Sequence, residues 1–208
     1  ALYIADGHHR AASAARVQKI REEANPNHSG YEPYNYFLSV IFPHDEMQIL
    51  DYNRVAKDLN GFTEEQFHES INKNFDIIPI PYPPSPIPKN NYSMHINGKW
   101  YQLDTKTHVK SDDPVEGLEA SILQKYLLTP ILDIDDPRTN KRIDFVGGIR
   151  GMVELERRCE IDCQVAFALP PVSIEQLLSV ADSGQVMPPK STWFEPKLRS
   201  GMVVRLLD

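Results

Sequence analysis

Near the start of the chain, Asp6-Gly7-His8-His9-Arg10 packs a carboxylate, a glycine, two imidazoles and a guanidinium into one short run. Leu2-Tyr3-Ile4-Ala5 leads in as an apolar stretch, and Ala11-Ala12-Ser13-Ala14-Ala15-Arg16-Val17 leads out as a helix-favouring one. The pattern reads as strand, tight turn, helix N-terminus. Backbone N–H groups at a helix start, helped by the helix dipole, attract an anion. Gly7 lets the backbone turn sharply and approach a ligand closely. Arg10 can grip a phosphate with two parallel donors, and His8 and His9 add further ones. Neighbouring histidines diverge on a helix, so one metal does not take both. Asp6 has three readings: helix cap, holder of a histidine tautomer, or ligand to Mg²⁺. The plain alternative is a helix capped by Asp6 with His and Arg on its surface.

A second constellation runs from Met187-Pro188-Pro189-Lys190-Ser191-Thr192-Trp193 to Lys197-Leu198-Arg199-Ser200-Gly201. Lys190, Ser191 and Thr192 have the chemistry of a phosphate loop without its glycine spacing, so this is not a P-loop. The alternative is a proline-stiffened loop whose Trp193 and Phe194 plug the core, and both readings hold together without conflict. Residues 185–207 carry Lys190, Lys197, Arg199 and Arg205 against Glu195, and residues 1–21 carry Arg10, Arg16, Lys19 and Arg21 against Asp6. Two basic segments in a chain of net charge −7 point to local attraction of a small anion rather than polyanion binding. Asp133, Asp135 and Asp136, the Gly147-Gly148 turn, and Asn53-Arg54 are weaker candidates for a cleft.

With 208 residues, 41% hydrophobic and 25% charged, the chain has the make-up of a globular protein with a sizeable core. The acidic balance disfavours DNA and anionic membranes as partners. No run is long and apolar enough to span a bilayer, and no signal segment is visible, so the expected location is the cytoplasm. Cys159 and Cys163 read as free thiols on one helical face; two more ligands at zinc spacing are missing, and no metal site is assigned.

The elements that must position these groups follow from periodicity and breakers. A buried strand is expected over Leu2–Ala5, and a helix over about His8–Ala24 with Ala11, Ala14, Ala15 and Gln18 inward. Asn25-Pro26-Asn27-His28-Ser29-Gly30 stops it. Tyr34–Phe42 reads as a central strand, and Met47–Val55 as a strand turning into a short helix. Thr63 and Gln66 form a capping box for a helix carrying Phe67, Ile71 and Phe75. The proline-dense stretch at about 79–88 reads as an extended connector. Asn97-Gly98 between alternating runs marks a hairpin. A helix is expected from Asp113-Pro114, a strand at Ile143–Val146, a helix at Ile149–Glu160, a strand at Val165–Leu169, a helix at Ile174–Ala181 and a closing strand at Met202–Leu206. The fold class is α+β, one domain over 1–208 with a mixed β-sheet and flanking helices. The apolar opening makes the chain look like the C-terminal portion of a longer one.

Ile4 to Arg10 and Met187 to Thr192, with Lys197 to Gly201, resemble a bacterial and archaeal family that is a domain of unknown function. Arg142-Ile143-Asp144-Phe145-Val146-Gly147-Gly148 and Ala166-Phe167-Ala168-Leu169 resemble intermediate signatures of the same family. The resemblance covers essentially the whole chain and implies full-length members about twice as long. Where many relatives have His-Arg after the second strand, this chain has Asn53-Arg54. At greater distance, Asp6-Gly7-His8-x-Arg10 is similar to the phosphate-binding turn of the ParB and sulfiredoxin superfamily, which includes CTP-hydrolysing partition proteins, sulfiredoxin and ADP-dependent free-serine kinases. That similarity, local to the turn, implies that Asp6 assists Mg²⁺ or an acceptor hydroxyl while His8 and Arg10 hold phosphates; Asp6 and His8 are the candidate catalytic residues. From the residue types of both constellations, the expected phosphate or nucleotide contacts are Gly7, His9, Arg10, Lys190, Ser191 and Thr192. The expected function is nucleotide or phosphometabolite binding, and a Mg²⁺-dependent small-molecule kinase using ADP or ATP is the most specific form. The rival readings are a ParB-like DNA-associated module and a non-enzymatic regulatory or scaffold protein. The scaffold reading expects Asp6, His8 and Arg10 to be bonded within the core.

Overall fold

The computed structural model describes residues 2–197, 199, 201, 202 and 204. The chain divides into two compact units, Ala1–Gln48 with Phe194–Asp208, and Ile49–Trp193. The fold class is α+β, with five α-helices and a six-stranded sheet among the described residues.

In the first unit, α1 spans His8–Ala24, as its alanine-rich sequence requires. Ala11, Ala14 and Gln18 are half-buried, while Ala15 of the expected inner face is exposed. The helix has no buried residue. It is tied to the following loop by polar bonds instead: Gln18 Nε2 donates to Asn35 Oδ1 at 3.2 Å and Asn25 Nδ2 to the Tyr34 hydroxyl at 3.1 Å. Two expected strands are absent here. Residues 2–5 pair with no strand among the described residues, and Leu2 is 79% exposed. Tyr34–Phe42 begins in a 3₁₀ turn, Pro33–Asn35, and continues outside any strand ladder among the described residues, with Phe37 58% exposed. Apolar, β-branched composition marks a stretch fit for a sheet, but a strand exists only where neighbouring strands satisfy its N–H and C=O groups.

The second unit holds the sheet and its cover. In chain order the elements are β1 (Gln48–Leu50), β2 (Tyr52–Ala56), α2 (Glu64–Ile71), β3 (Phe75–Ile80), β4 (Asn91–Ile96), β5 (Lys99–Thr105), α3 (Glu119–Leu123), β6 (Ile143–Gly147), α4 (Gly151–Ile161), β7 (Val165–Ala168), α5 (Ile174–Asp182) and β8 (Trp193–Glu195). β1 and β8 lie at the ends of this unit, each carrying the chain across the division. The sheet order is β3-β5-β4-β7-β2-β6, and all its ladders are antiparallel. The stretch Met47–Val55 is thus two strands rather than a strand and helix. The proline-rich segment starts inside β3, an edge strand paired with β5 alone, where Pro79 lacks no ladder donor that the sheet needs. Residues 81–90 then connect it to β4.

Local signals place the rest. Thr63 and Gln66 close the capping box of α2, Thr63 N donating to Gln66 Oε1 at 3.0 Å and Gln66 N to Thr63 Oγ1 at 3.3 Å. Asn97 and Gly98, at φ 48° and 71°, make the left-handed two-residue turn between β4 and β5. Asp113 caps a turn instead of opening a helix, its Oδ1 accepting from Val115 N and Glu116 N, and α3 begins only at Glu119. The expected closing strand, Met202–Leu206, lies largely outside the described residues.

Alternation along the strands divides the core. Ala56, Met94, Leu103, Val165 and Phe167 on one sheet face pack with Phe67 and Ile71 of α2 and Ile122 and Leu123 of α3. Val55, Val146, Ala166 and Ala168 on the other face pack with Leu155 of α4. Burying such side chains contributes about 1.5–3 kcal/mol each, which fixes the β2 register on which the candidate site depends.

Candidate functional site

In the first unit, Gly7 occupies the N-cap of α1 in the left-handed region, φ 83° and ψ 26°, with no side-chain cap. Asp6 is therefore not the cap. The helix starts at His8, and Ala11 N donates to Gly7 O at 3.0 Å. Among the described residues no side chain caps the first turn, an arrangement that suits an anion. A left-handed φ is costly for any residue with a Cβ, which explains the glycine. Arg10 folds back over it: a Cβ on Gly7 would lie 3.0 Å from Arg10 Nη2 and 3.2 Å from Nε. Asp6 Oδ2 stands 4.0 Å from Arg10 Nη2 and 3.5 Å from Lys197 Nζ, with all three side chains solvent-accessible. Exposed ion pairs of this length contribute little stability, so the arrangement holds charge near the turn rather than the fold together. His8, His9 and Arg10 are exposed. The scaffold expectation, with these groups bonded inside a core, is not what the chain adopts.

Lys197, a member of the second basic constellation that was given no phosphate contact, is the additional candidate. Its signal was the basic Lys197-Leu198-Arg199 segment, whose Lys197 reaches the first motif's carboxylate.

In the second unit, Lys190 sits at φ 57° in the proline-rich loop and is exposed. Its Nζ lies 5.3 Å from the centroid of the Tyr52 ring and 3.3 Å from the Tyr52 hydroxyl. Ser191 is buried, and its hydroxyl donates to Pro188 O at 2.8 Å, shaping the loop. Thr192 is half-buried. Of the three expected phosphate contacts in this loop, Lys190 alone presents its charged end to solvent.

The same unit explains the paired glycines. Tyr52 lies opposite Gly147 in the β2–β6 ladder. A Cβ on Gly147 would come within 2.6 Å of the Trp193 ring, and one on Gly148 would fall on the Asp51 carboxylate. The glycines admit two side chains, Trp193 on the Tyr52 face and Asp51 on the other. Asp51 accepts from Asn53 Nδ2, while Asn53 Oδ1 accepts from Leu169 N at 3.0 Å. Burial pushes the Asp51 carboxyl above the usual carboxylate range, against the Asn53 bond.

Arg54 is 4% exposed. Its guanidinium donates to Tyr52 O and lies 5.4 Å from the Phe145 ring centroid. Burial holds its pKa down to about 10. Among the described residues no carboxylate pairs with it. Asn53 thus serves the backbone, and Arg54 is the buried charge of the strand.

Residues 1–121 match the family model described as "Protein of unknown function (DUF1015)". The chain belongs to this family. No curated protein matches the sequence. Among solved structures, a mutant of free serine kinase in complex with ADP is similar at 16% identity and TM-score 0.49, over 92% of this chain and 66% of that one. A mutant of free serine kinase with AMP is similar at 15% and 0.48, with the same coverage. A conserved hypothetical protein from Pyrococcus furiosus is similar at 14% and 0.46, over 92% of this chain and 68% of that one. The chain spans 66% of the length of the free serine kinase chains it resembles.

Among the described residues no three His, Cys, Asp or Glu side chains gather to hold a metal. Asp6 is a single accessible carboxylate. That fits Mg²⁺ only in the form it takes beside phosphates, with one protein carboxylate and the ligand's own oxygens.

Proposed function

We propose that the protein binds a nucleotide or phosphometabolite at the Asp6–Arg10 turn and acts as a small-molecule kinase of the free-serine-kinase type, within the ParB and sulfiredoxin superfamily. The observation that carries this reading is the left-handed Gly7 cap, which opens the first turn of α1 while Arg10 folds over it. Backbone N–H groups, the helix dipole and a guanidinium then converge on one small anion. His9 and Arg10 hold phosphate oxygens, and Gly7 permits their close approach. Asp6 and His8 are the proposed catalytic pair, with Asp6 ligating Mg²⁺ or orienting the acceptor hydroxyl. Mg²⁺, carried in with ADP or ATP, would neutralise charge on the transferred phosphoryl group. In the second unit, taken by itself, Lys190, Ser191 and Thr192 are proposed as phosphate contacts. Phosphoryl transfer asks mainly for positioning and charge neutralisation, which these residue types supply.

The test is calorimetric and thermal-shift titration with ADP, ATP and CTP, each with and without Mg²⁺. The reading expects saturable binding of at least one of them. Absence of any nucleotide or phosphate binding, with Arg10→Ala indistinguishable from the unmodified protein, overturns it.

A further inference from the structure

Tyr52 joins two cations that have no acidic partner among the described residues. Its carbonyl accepts from Arg54, and its ring and hydroxyl take Lys190. Neither cation has a carboxylate within 4 Å among the described residues. Lys190 is exposed and Arg54 is buried, and Tyr52 touches both.

The burial of Arg54 is the telling part. A guanidinium taken out of water costs several kcal/mol unless it is paired, and here one carbonyl and one aromatic ring stand in for a carboxylate. Alternation along β2 explains why no acid compensates it. Asp51 and Asn53 point to the opposite face, where Asp51 packs against Gly148. The Tyr52 face instead holds Tyr52, Phe145, Trp193 and the buried Tyr92, none of them a carboxylate. In a low-dielectric surrounding the charge of Arg54 is weakly screened. Such a face is tuned to receive an anion from outside.

We propose that this Tyr52 face binds a phosphate-class anion in its own right, with Lys190 touching the anion and Arg54 supplying the buried positive charge behind it. The inference rests on the ligand being a phosphate-bearing molecule, and it adds a site that does not depend on Arg10. Arg54 acts here through its field and is a positioning residue, not a contact.

The experiment follows the melting temperature of the whole chain as inorganic phosphate is added at constant ionic strength, with acetate as comparator, all in an Arg10→Ala background. At a tenfold excess over Kd, site-specific binding raises the melting temperature of a chain this size by roughly 3 °C. That rise is expected to survive Arg10→Ala and Arg54→Lys, and to fall below about 1 °C on adding Lys190→Ala or Arg54→Gln. Lys190 is exposed, so its variant keeps the test open even where Arg54→Gln fails to fold. The proposal is overturned where Lys190→Ala leaves the phosphate response intact, or where acetate gives the same rise as phosphate. A phosphate response equal in the unmodified chain and in Arg10→Ala but lost with Lys190→Ala, together with no nucleotide binding, would overturn the Arg10 reading and leave this one standing.

Discussion

Replacing Gly7 with alanine perturbs the turn in two separable ways. The backbone at Gly7 has φ 83°. A Cβ in that region costs about 1–2 kcal/mol, because it crowds the following carbonyl. The new methyl would also stand 3.0–3.4 Å from the Arg10 guanidinium. That second effect is cheap in stability, since Arg10 is 73% exposed at its side chain and can swing away. It is costly in function, since the swing removes the guanidinium from the helix start. Gly7→Ala is therefore expected to lower the melting temperature by about 2–5 °C, from the backbone cost alone. Losing one charge-assisted contact, worth about 1.5–3 kcal/mol, weakens nucleotide or phosphate binding by about tenfold or more. Gly7→Asn is the control, because asparagine tolerates the left-handed region; it should recover much of the stability and little of the affinity. Scanning calorimetry reads the first effect and titration calorimetry the second. Unchanged melting and unchanged affinity in Gly7→Ala would refute both the left-handed cap and the placement of Arg10.

Two further outcomes follow from the second unit. Gly148→Ala should destabilise by about 1–3 kcal/mol through overpacking against Asp51. Asp51→Gly in the same chain should recover part of that loss, and strict additivity in urea unfolding would contradict the contact. His95 is buried, and burial holds its pKa below the ordinary imidazole value. The unfolded chain then takes up more protons than the folded one, so stability should decline as pH falls below about 6.5 toward the depressed folded value. His95→Gln should flatten that part of the stability–pH curve, and an unchanged slope would show that His95 does not titrate with unfolding.

Much of the second unit was legible because its signals are local. Asn97-Gly98 needs only its own left-handed preference, and Thr63 with Gln66 needs only its own first turn. The bounds of α1 were legible for the same reason. Residues 2–5 and 34–42 were misread because their apolar, β-branched composition says what a strand can bury and not whether a partner strand is there. The Asp6–Arg10 turn was recognisable by residue type, yet the assignment of the cap needed the φ of Gly7. Gly147 and Gly148 looked like a donor turn. Their reason lies in Trp193 and Asp51, which are distant in sequence and become visible only through the β2–β6 register. Arg54 was noticed as a polar residue after an apolar stretch. Its burial without a carboxylate depends on which face of β2 it takes.

Titration of ADP with Mg²⁺ into the unmodified chain and into Arg10→Ala tests the central claim most directly. The account predicts saturable binding by the unmodified chain and at least about a tenfold weaker Kd, or 1.4 kcal/mol, for Arg10→Ala. Equal binding by the two proteins, or no binding of any nucleotide or phosphate by either, would contradict it.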